Sequence, residues 1–263
     1  RCTKCSKNIF IIRAFYVTLQ AEIIMTKRIL YISALLLLLV SCNDYQQLLK
    51  NTDPDVKFTA AKNYFQEKDF SKSATLLEDI MAYYKGSSRS EEVLYLLAES
   101  YLGQEDYYSA AEYYRTYVKS YPRGEFAADC KYMVGYCYYK DSSDPRLDQA
   151  STHSAIQAFT EFLEQYPQSE RTPQAYQYMF ELEDKLAYKG YLNAKLYYNL
   201  GMYLGNNYRS AIITANNTLK DYPETKHREL LLYLILQSKY KEATLSIAEK
   251  QPERYSEVVD EYY

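Results

Sequence analysis

The 263-residue sequence has no tryptophan, two histidines (His153 and His227), five cysteines, seven glycines and seven prolines. So few histidines and cysteines leave little material for a zinc shell, which takes about four ligands, or for a nucleophile activated by a base. Scarce Gly and Pro exclude a collagen-like or low-complexity chain. No apolar run reaches the roughly 20 residues that a membrane-spanning helix needs. Excess positive charge is missing too: from residue 42 onward 25 basic side chains face 33 acidic ones. An acidic body suits no phosphate backbone, so nucleic acid is not an expected partner. Tyrosine, by contrast, is abundant, with 33 copies against nine Phe.

The first forty residues read as an address. Met25 is the first methionine; Lys27 and Arg28 follow it, then an apolar run from Ile29 to Val40. A basic start before roughly 7–15 apolar residues is the layout of a secretory signal. Its last four residues, Leu39-Val40-Ser41-Cys42, resemble a bacterial lipobox, in which the cysteine becomes the mature N-terminus and carries the lipid. Asn43 after the cysteine is compatible with sorting to the outer membrane. The pair Cys2 and Cys5 has no second pair at metal spacing. Residues 1–24 are therefore expected to be an annotation extension, 25–41 a lipoprotein signal peptide, and 42–52 a lipidated linker.

From Asp53 onward apolar residues recur at three- and four-residue intervals, which predicts an all-α chain. Loops are signalled at Lys85–Ser90, Tyr121–Gly124, Tyr166–Ser169 and Asp221–Glu224. Asp53-Pro54 and Thr172-Pro173 place a capping residue before a first-turn Pro, and Ser88 with Glu91 forms a candidate capping box. The helices repeat. Ala61, Tyr64, Phe70, Ser73, Leu77 and Ile80 recur 37 residues later as Ala98, Tyr101, Tyr107, Ala110, Tyr114 and Tyr117. Gly135, Tyr138, Ala155, Phe159, Phe162 and Pro167 form a third copy, stretched by an insertion from Asp141 to about Ser151. A fourth ends in Tyr208, Ala211, Ala215, Thr218 and Pro223. A fifth begins at Thr225 with Leu230–Leu236, and its second helix starts near Pro252 and runs through Tyr255, Val258 and Tyr262. This pattern resembles the tetratricopeptide repeat, a helix pair with small residues at the close approach, an aromatic knob and a closing Pro. The expected fold over 53–263 is an all-α superhelical solenoid of about five helix pairs. The chain stops in mid-helix, so the last repeat is expected to be truncated. Most tyrosines are expected to be packing residues whose hydroxyls reach the solvated rim.

Enzymatic chemistry is not indicated: no phosphate loop, GxSxG or HExxH occurs. His153, in the inserted turn, and His227, at a helix start, read as surface histidines. Cys130 and Cys137 lie about 10 Å apart on one helix at 1.5 Å per residue, too far to bond, and read as buried thiols. No cofactor or metal is expected.

Lipobox, short linker and about five helix pairs with Tyr-Pro closures together resemble the outer-membrane protein assembly factor family typified by BamD. That resemblance covers residues 25–263. It implies a non-enzymatic scaffold of the β-barrel assembly machinery, lipid-anchored on the periplasmic side of the outer membrane. Implied partners are a BamA-like barrel protein, bound through its periplasmic domains by the C-terminal repeats, and unfolded outer-membrane proteins received by the N-terminal repeats. The first helices of the first three units would then line a peptide groove through Phe58, Lys62 and Phe65, Tyr95, Glu99 and Leu102, and Tyr132, Tyr136 and Tyr139, with Lys62 a charge partner for a terminal carboxylate. The alternative for these rings is packing against a neighbouring helix. Two other functions share the fold class: an envelope scaffold in division or peptidoglycan assembly, and a SusD-like glycan-binding lipoprotein. The latter fits less well, because such proteins are about twice as long and sugar platforms favour tryptophan.

Overall fold

The computed structural model describes residues 45–263, and every regular element among them is helical. A short helical lead at residues 45–50 precedes five hairpin pairs. These are α1 (Pro54–Gln66) with α2 (Phe70–Tyr84), α3 (Ser90–Gly103) with α4 (Tyr107–Ser120), and α5 (Ala127–Asp141) with α6 (Ala150–Gln165). Then come α7 (Thr172–Leu200) with α8 (Asn207–Asp221), and α9 (Arg228–Thr244) with α10 (Gln251–Tyr262). Each helix packs on the next in sequence, and first helices of neighbouring pairs also meet, α1 with α3, α5 with α7 and α7 with α9. The all-α solenoid of five pairs stands as the sequence predicts.

The repeat extends to the turns. Lys68 and Glu105, 37 residues apart, both take the left-handed conformation, at φ 62° and 60°. The aspartate after each caps the following helix: Asp69 accepts from the Lys72 N–H at 3.4 Å and Asp106 from the Ser109 N–H at 3.1 Å. Each cap satisfies a backbone donor that has no partner within its helix. Small residues sit where helices approach. Ala61, Ala98 and Ala110 are fully buried, and Gly135 lies under the Phe159 ring, 2.7 Å from where a Cβ would be.

Buried side chains form three groups. The first joins the lead to α1, α2 and α3 around Phe58, Leu76, Leu77 and Leu97. The second runs from Leu94 to Leu182, around Tyr114, Tyr117, Phe159 and Phe162. The third gathers Ala194, Ala215, Leu231, Leu234 and Ile235. Helix α7, 29 residues long, serves both later groups: Ala175 and Leu182 close the second and Ala194 opens the third.

Several local expectations need correction. Thr172 is the first helical residue rather than the cap of α7, which falls on Arg171 and lacks a side-chain cap bond. The box of Ser88 and Glu91 does not form; α3 is capped at Arg89, and Glu91 instead accepts from the Glu125 N–H at 2.9 Å and from the Tyr117 hydroxyl. A tertiary partner outbids the local one. His153 lies within α6 and is exposed. The inserted turn is ordered by Gln149, whose amide donates to the carbonyls of Asp144, Leu147 and Asp148 at 2.8, 3.2 and 3.1 Å. In the stretch predicted as a linker, Tyr45, Leu48 and Leu49 pack on the first core. Buried Lys57 ties the Leu49 carbonyl, at 3.0 Å, to Asp79. Cys42 and residues 1–41 lie outside the described residues.

Candidate functional site

The nine residues expected on the groove fall on α1, α3 and α5, and the structure gathers them into three clusters. At the first, Lys62 Nζ is 2.7 Å from Glu92 Oε1 and 5.3 Å from the Phe58 ring centroid. Phe58 itself is buried edge-on against Tyr84. The Tyr84 hydroxyl and the Arg89 guanidinium both donate to Asp55; the Tyr84 bond leads in holding the Asp55 carboxyl below its ordinary value. Asp55, Phe58, Lys62, Arg89 and Glu92, with Thr59, Asn63 and Gln66, line an open cleft of about 420 Å³. Phe65 stands apart from it, packed edge-on against Phe70 at the α1–α2 turn, 5.5 Å between centroids.

The second cluster is closed. Tyr95 stacks on Phe126 with centroids 4.2 Å apart, Glu99 accepts from the Tyr114 hydroxyl, and Leu102 packs against the second core. Tyr95 is taken up at the start of α5 and Glu99 by the second helix α4, both within the protein itself.

At the third, α5 faces α7. Tyr139 stacks on Tyr178 at 4.2 Å and donates to Glu181 at 2.6 Å. Tyr136 lies 5.9 Å from Tyr178. Buried Tyr132 donates to Gln174 at 2.9 Å. Arg171 sits over the Tyr132 ring at 4.8 Å and reaches Asp129 at 2.8 Å. Tyr132, Met133, Tyr136, Arg171, Gln174 and Tyr178 together line a cleft of about 280 Å³. Desolvation leads in pushing the Tyr132 hydroxyl up to about 12, so it is a neutral donor across the physiological range. Sequence reasoning missed Arg171, Gln174 and Tyr178 because the first helix of the fourth pair carried no register; the four-residue spacing from Gln174 to Tyr178 was the available signal.

The two histidines divide. His153 is exposed, whereas His227 is half-buried, its ring tilted against Tyr188 with centroids 4.8 Å apart and Nε2 3.5 Å from Asp184 Oδ2. The surface reading holds for His153 only. Cys130 and Cys137 are free and buried, as expected, and desolvation pushes the Cys137 thiol up to about 12.

Five stacked helix pairs with a partly aromatic seam along the first helices define a tetratricopeptide-type scaffold. Residues 50–255 match the YfiO family, described as outer membrane lipoprotein, and the chain belongs to that family. The outer membrane protein assembly factor BamD of Caulobacter vibrioides is 27% identical over 121 residues, which is 46% of this chain and 40% of that protein. The match thus spans less than half of that relative's length. Among solved structures, nearly identical TPR-like repeats from Podosopora anserina share 12% identity over 78% of this chain and 92% of theirs, with a TM-score of 0.33. A Bacteroides ovatus protein shares 11% identity over 80% of this chain and 98% of its own, with a TM-score of 0.39. Among the described residues no helix is long and apolar enough to cross a membrane.

Proposed function

We propose that the chain is a non-enzymatic scaffold of outer-membrane β-barrel assembly, anchored through lipidated Cys42 on the periplasmic side. The later helix pairs bind the periplasmic domains of a BamA-like barrel protein, and the first-helix seam receives unfolded outer-membrane protein segments. Family membership and the name of the Caulobacter relative support this reading.

The observation that carries the substrate role is the α5–α7 cleft, which half-buried Tyr136 and Tyr178 line together with Arg171. Aromatic faces with a guanidinium suit an extended segment ending in an aromatic residue and a carboxylate. Such a carboxylate would compete with Asp129 for Arg171. Lys62, engaged by Glu92, takes the same role at the first cleft only by leaving that pair.

A labelled peptide ending in phenylalanine with a free carboxylate tests the cleft by fluorescence anisotropy. Binding should weaken at least several-fold on amidating the carboxylate, and similarly with Arg171→Gln; equal binding of acid and amide peptides would sink the carboxylate role. Capture of the lipidated chain from solubilised outer membranes tests the partner role. A barrel protein with periplasmic domains, in near-equal amount, is expected; division or glycan-import proteins in its place would overturn it.

A further inference from the structure

The turn between α7 and α8 is built unlike the other turns. From Leu196 through Tyr208 there is no charged residue, while Lys195 and Arg209 stand at either side. The turn projects Met202, Tyr203 and Leu204, with Tyr203 68% and Leu204 90% exposed. Leu204 is also in the left-handed conformation, at φ 54°, a backbone state that a bulky side chain rarely adopts. No contact with the body accounts for an apolar side chain held there. The next turn repeats the character on a smaller scale, with Leu245 and Ile247 exposed. The first two turns, by contrast, carry Glu67, Lys68, Asp69 and Glu105, Asp106.

The lead shows which end of the first pair the anchor leaves from. Leu49 is held by Lys57, in the first turns of α1. Tyr45 meets Tyr64, near the end of α1, at 5.8 Å, and lies under Lys72 in α2 at 5.6 Å. The lead therefore runs back along α1 to the α1–α2 turn. Cys42 precedes Tyr45 by three residues, a reach of at most about 10 Å. The anchor thus leaves at the end of the first pair where its hairpin turn lies, and the α7–α8 turn occupies the corresponding end of the fourth pair. Helix α7 carries that turn outward. Lys189 contacts the Leu147 carbonyl of the inserted turn, and α7 continues to Leu200, about 16 Å further at 1.5 Å per residue.

We propose that the α7–α8 turn is a membrane-contact element, which inserts Met202, Tyr203 and Leu204 into the interfacial layer of the leaflet that holds the lipid anchor. An uncharged, tyrosine-bearing apolar tip between basic residues suits that layer, where aromatic rings sit at headgroup depth and Lys and Arg meet anionic lipid. Two attachment points would fix the tilt of the solenoid, where a single lipid would leave it free to swing. The inference rests on the lipid-anchor reading of Cys42.

Because the chain has no tryptophan, one introduced indole reports alone. The lipidated full-length protein carrying Tyr203→Trp would be bound to vesicles of phosphatidylethanolamine and phosphatidylglycerol, with Tyr83→Trp on α2 as the comparison. Flotation with the vesicles, a blue-shifted Tyr203→Trp emission and quenching by lipids spin-labelled near the headgroup are expected, with the Tyr83→Trp emission unchanged. Flotation with water-like emission from both would overturn the turn's role and leave the anchor intact. Failure to float would overturn both. A blue shift that appears only after outer-membrane proteins are added would assign the turn to a protein partner and also overturn the proposal. In a protein that floats, Met202→Glu with Leu204→Glu should abolish insertion of the tip while the circular dichroism of the fold stays unchanged.

Discussion

The Tyr114 hydroxyl donates to the Glu99 carboxylate from a ring that is completely buried. It is one case of a wider pairing: Tyr101 and Tyr113 share Glu78, at 2.6 and 3.0 Å, and Tyr138 donates to Glu112 at 3.0 Å. The expectation that knob hydroxyls reach the solvated rim fits Tyr101 and Tyr113, whose bonds to Glu78 are exposed, and is refined for Tyr114, whose bond to Glu99 is partly buried. Their hydroxyls end on acidic side chains of neighbouring helices, so the acidic surplus and the tyrosine surplus answer one another. Hydrogen bonds to charged groups contribute about 1.5–3 kcal/mol. Tyr114→Phe should destabilise the chain by about that much in urea unfolding, while exposed Tyr108→Phe should change nothing; equal midpoints for both would mean that Glu99 is satisfied by water.

The same burial makes the fold sensitive to alkali. Desolvation leads in raising the Cys137 thiol from 9.0 to about 12 and the Tyr113 and Tyr138 hydroxyls from 10.0 to about 12. A group with a raised folded pKa stabilises fully below its unfolded value and loses that contribution as pH rises through the folded one. Stability should therefore be flat up to about pH 9 and fall from there towards 12. Melting temperature against pH, read together with tyrosinate absorbance, checks this. Ionisation of the whole tyrosine complement near 10 with the fold intact, buried Tyr113 and Tyr138 included, would contradict it.

The five pairs were legible because packing writes itself at fixed spacing. Ala61 and Ala98, Leu77 and Tyr114, and Ile80 and Tyr117 occupy equivalent buried places 37 residues apart. Helix α7 was not legible. Between Pro173 and Gly201 its one breaker is Gly190, and that glycine marks close packing on Thr218 rather than a turn. The change from the second to the third core inside one helix has no local signal. The candidate site was half legible: its helices were placed, but the rings that occupy Tyr95 and Tyr139 are Phe126 and Tyr178, 31 and 39 residues further on. Periodicity within a helix names no such partner.

Gly135 separates propensity from packing. In an open helix, Gly→Ala gains about 1 kcal/mol. Here the new Cβ would stand 2.7 Å from the ring of fully buried Phe159, and overpacking a filled site costs about 1–3 kcal/mol. Gly135→Ala should lower stability, and pairing it with Phe159→Leu should recover part of the loss. A more stable Gly135→Ala would mean that α5 and α6 stand further apart than described.

The proposed lipid anchor makes Cys42 the residue that holds the chain at the membrane. Each buried methylene contributes about 0.8 kcal/mol, so one chain gives marginal attachment and stable anchoring takes a second signal. With the lipid absent, the α7–α8 turn alone offers a few apolar side chains, too little to retain the body. Cys42→Ala should abolish incorporation of labelled fatty acid and release the protein to the soluble periplasmic fraction, with its melting curve unchanged, because the lead packs from Tyr45 onward. A variant that remains labelled would place the modification elsewhere. One that is unlabelled yet still membrane-bound would show that protein partners or the turn suffice to hold it.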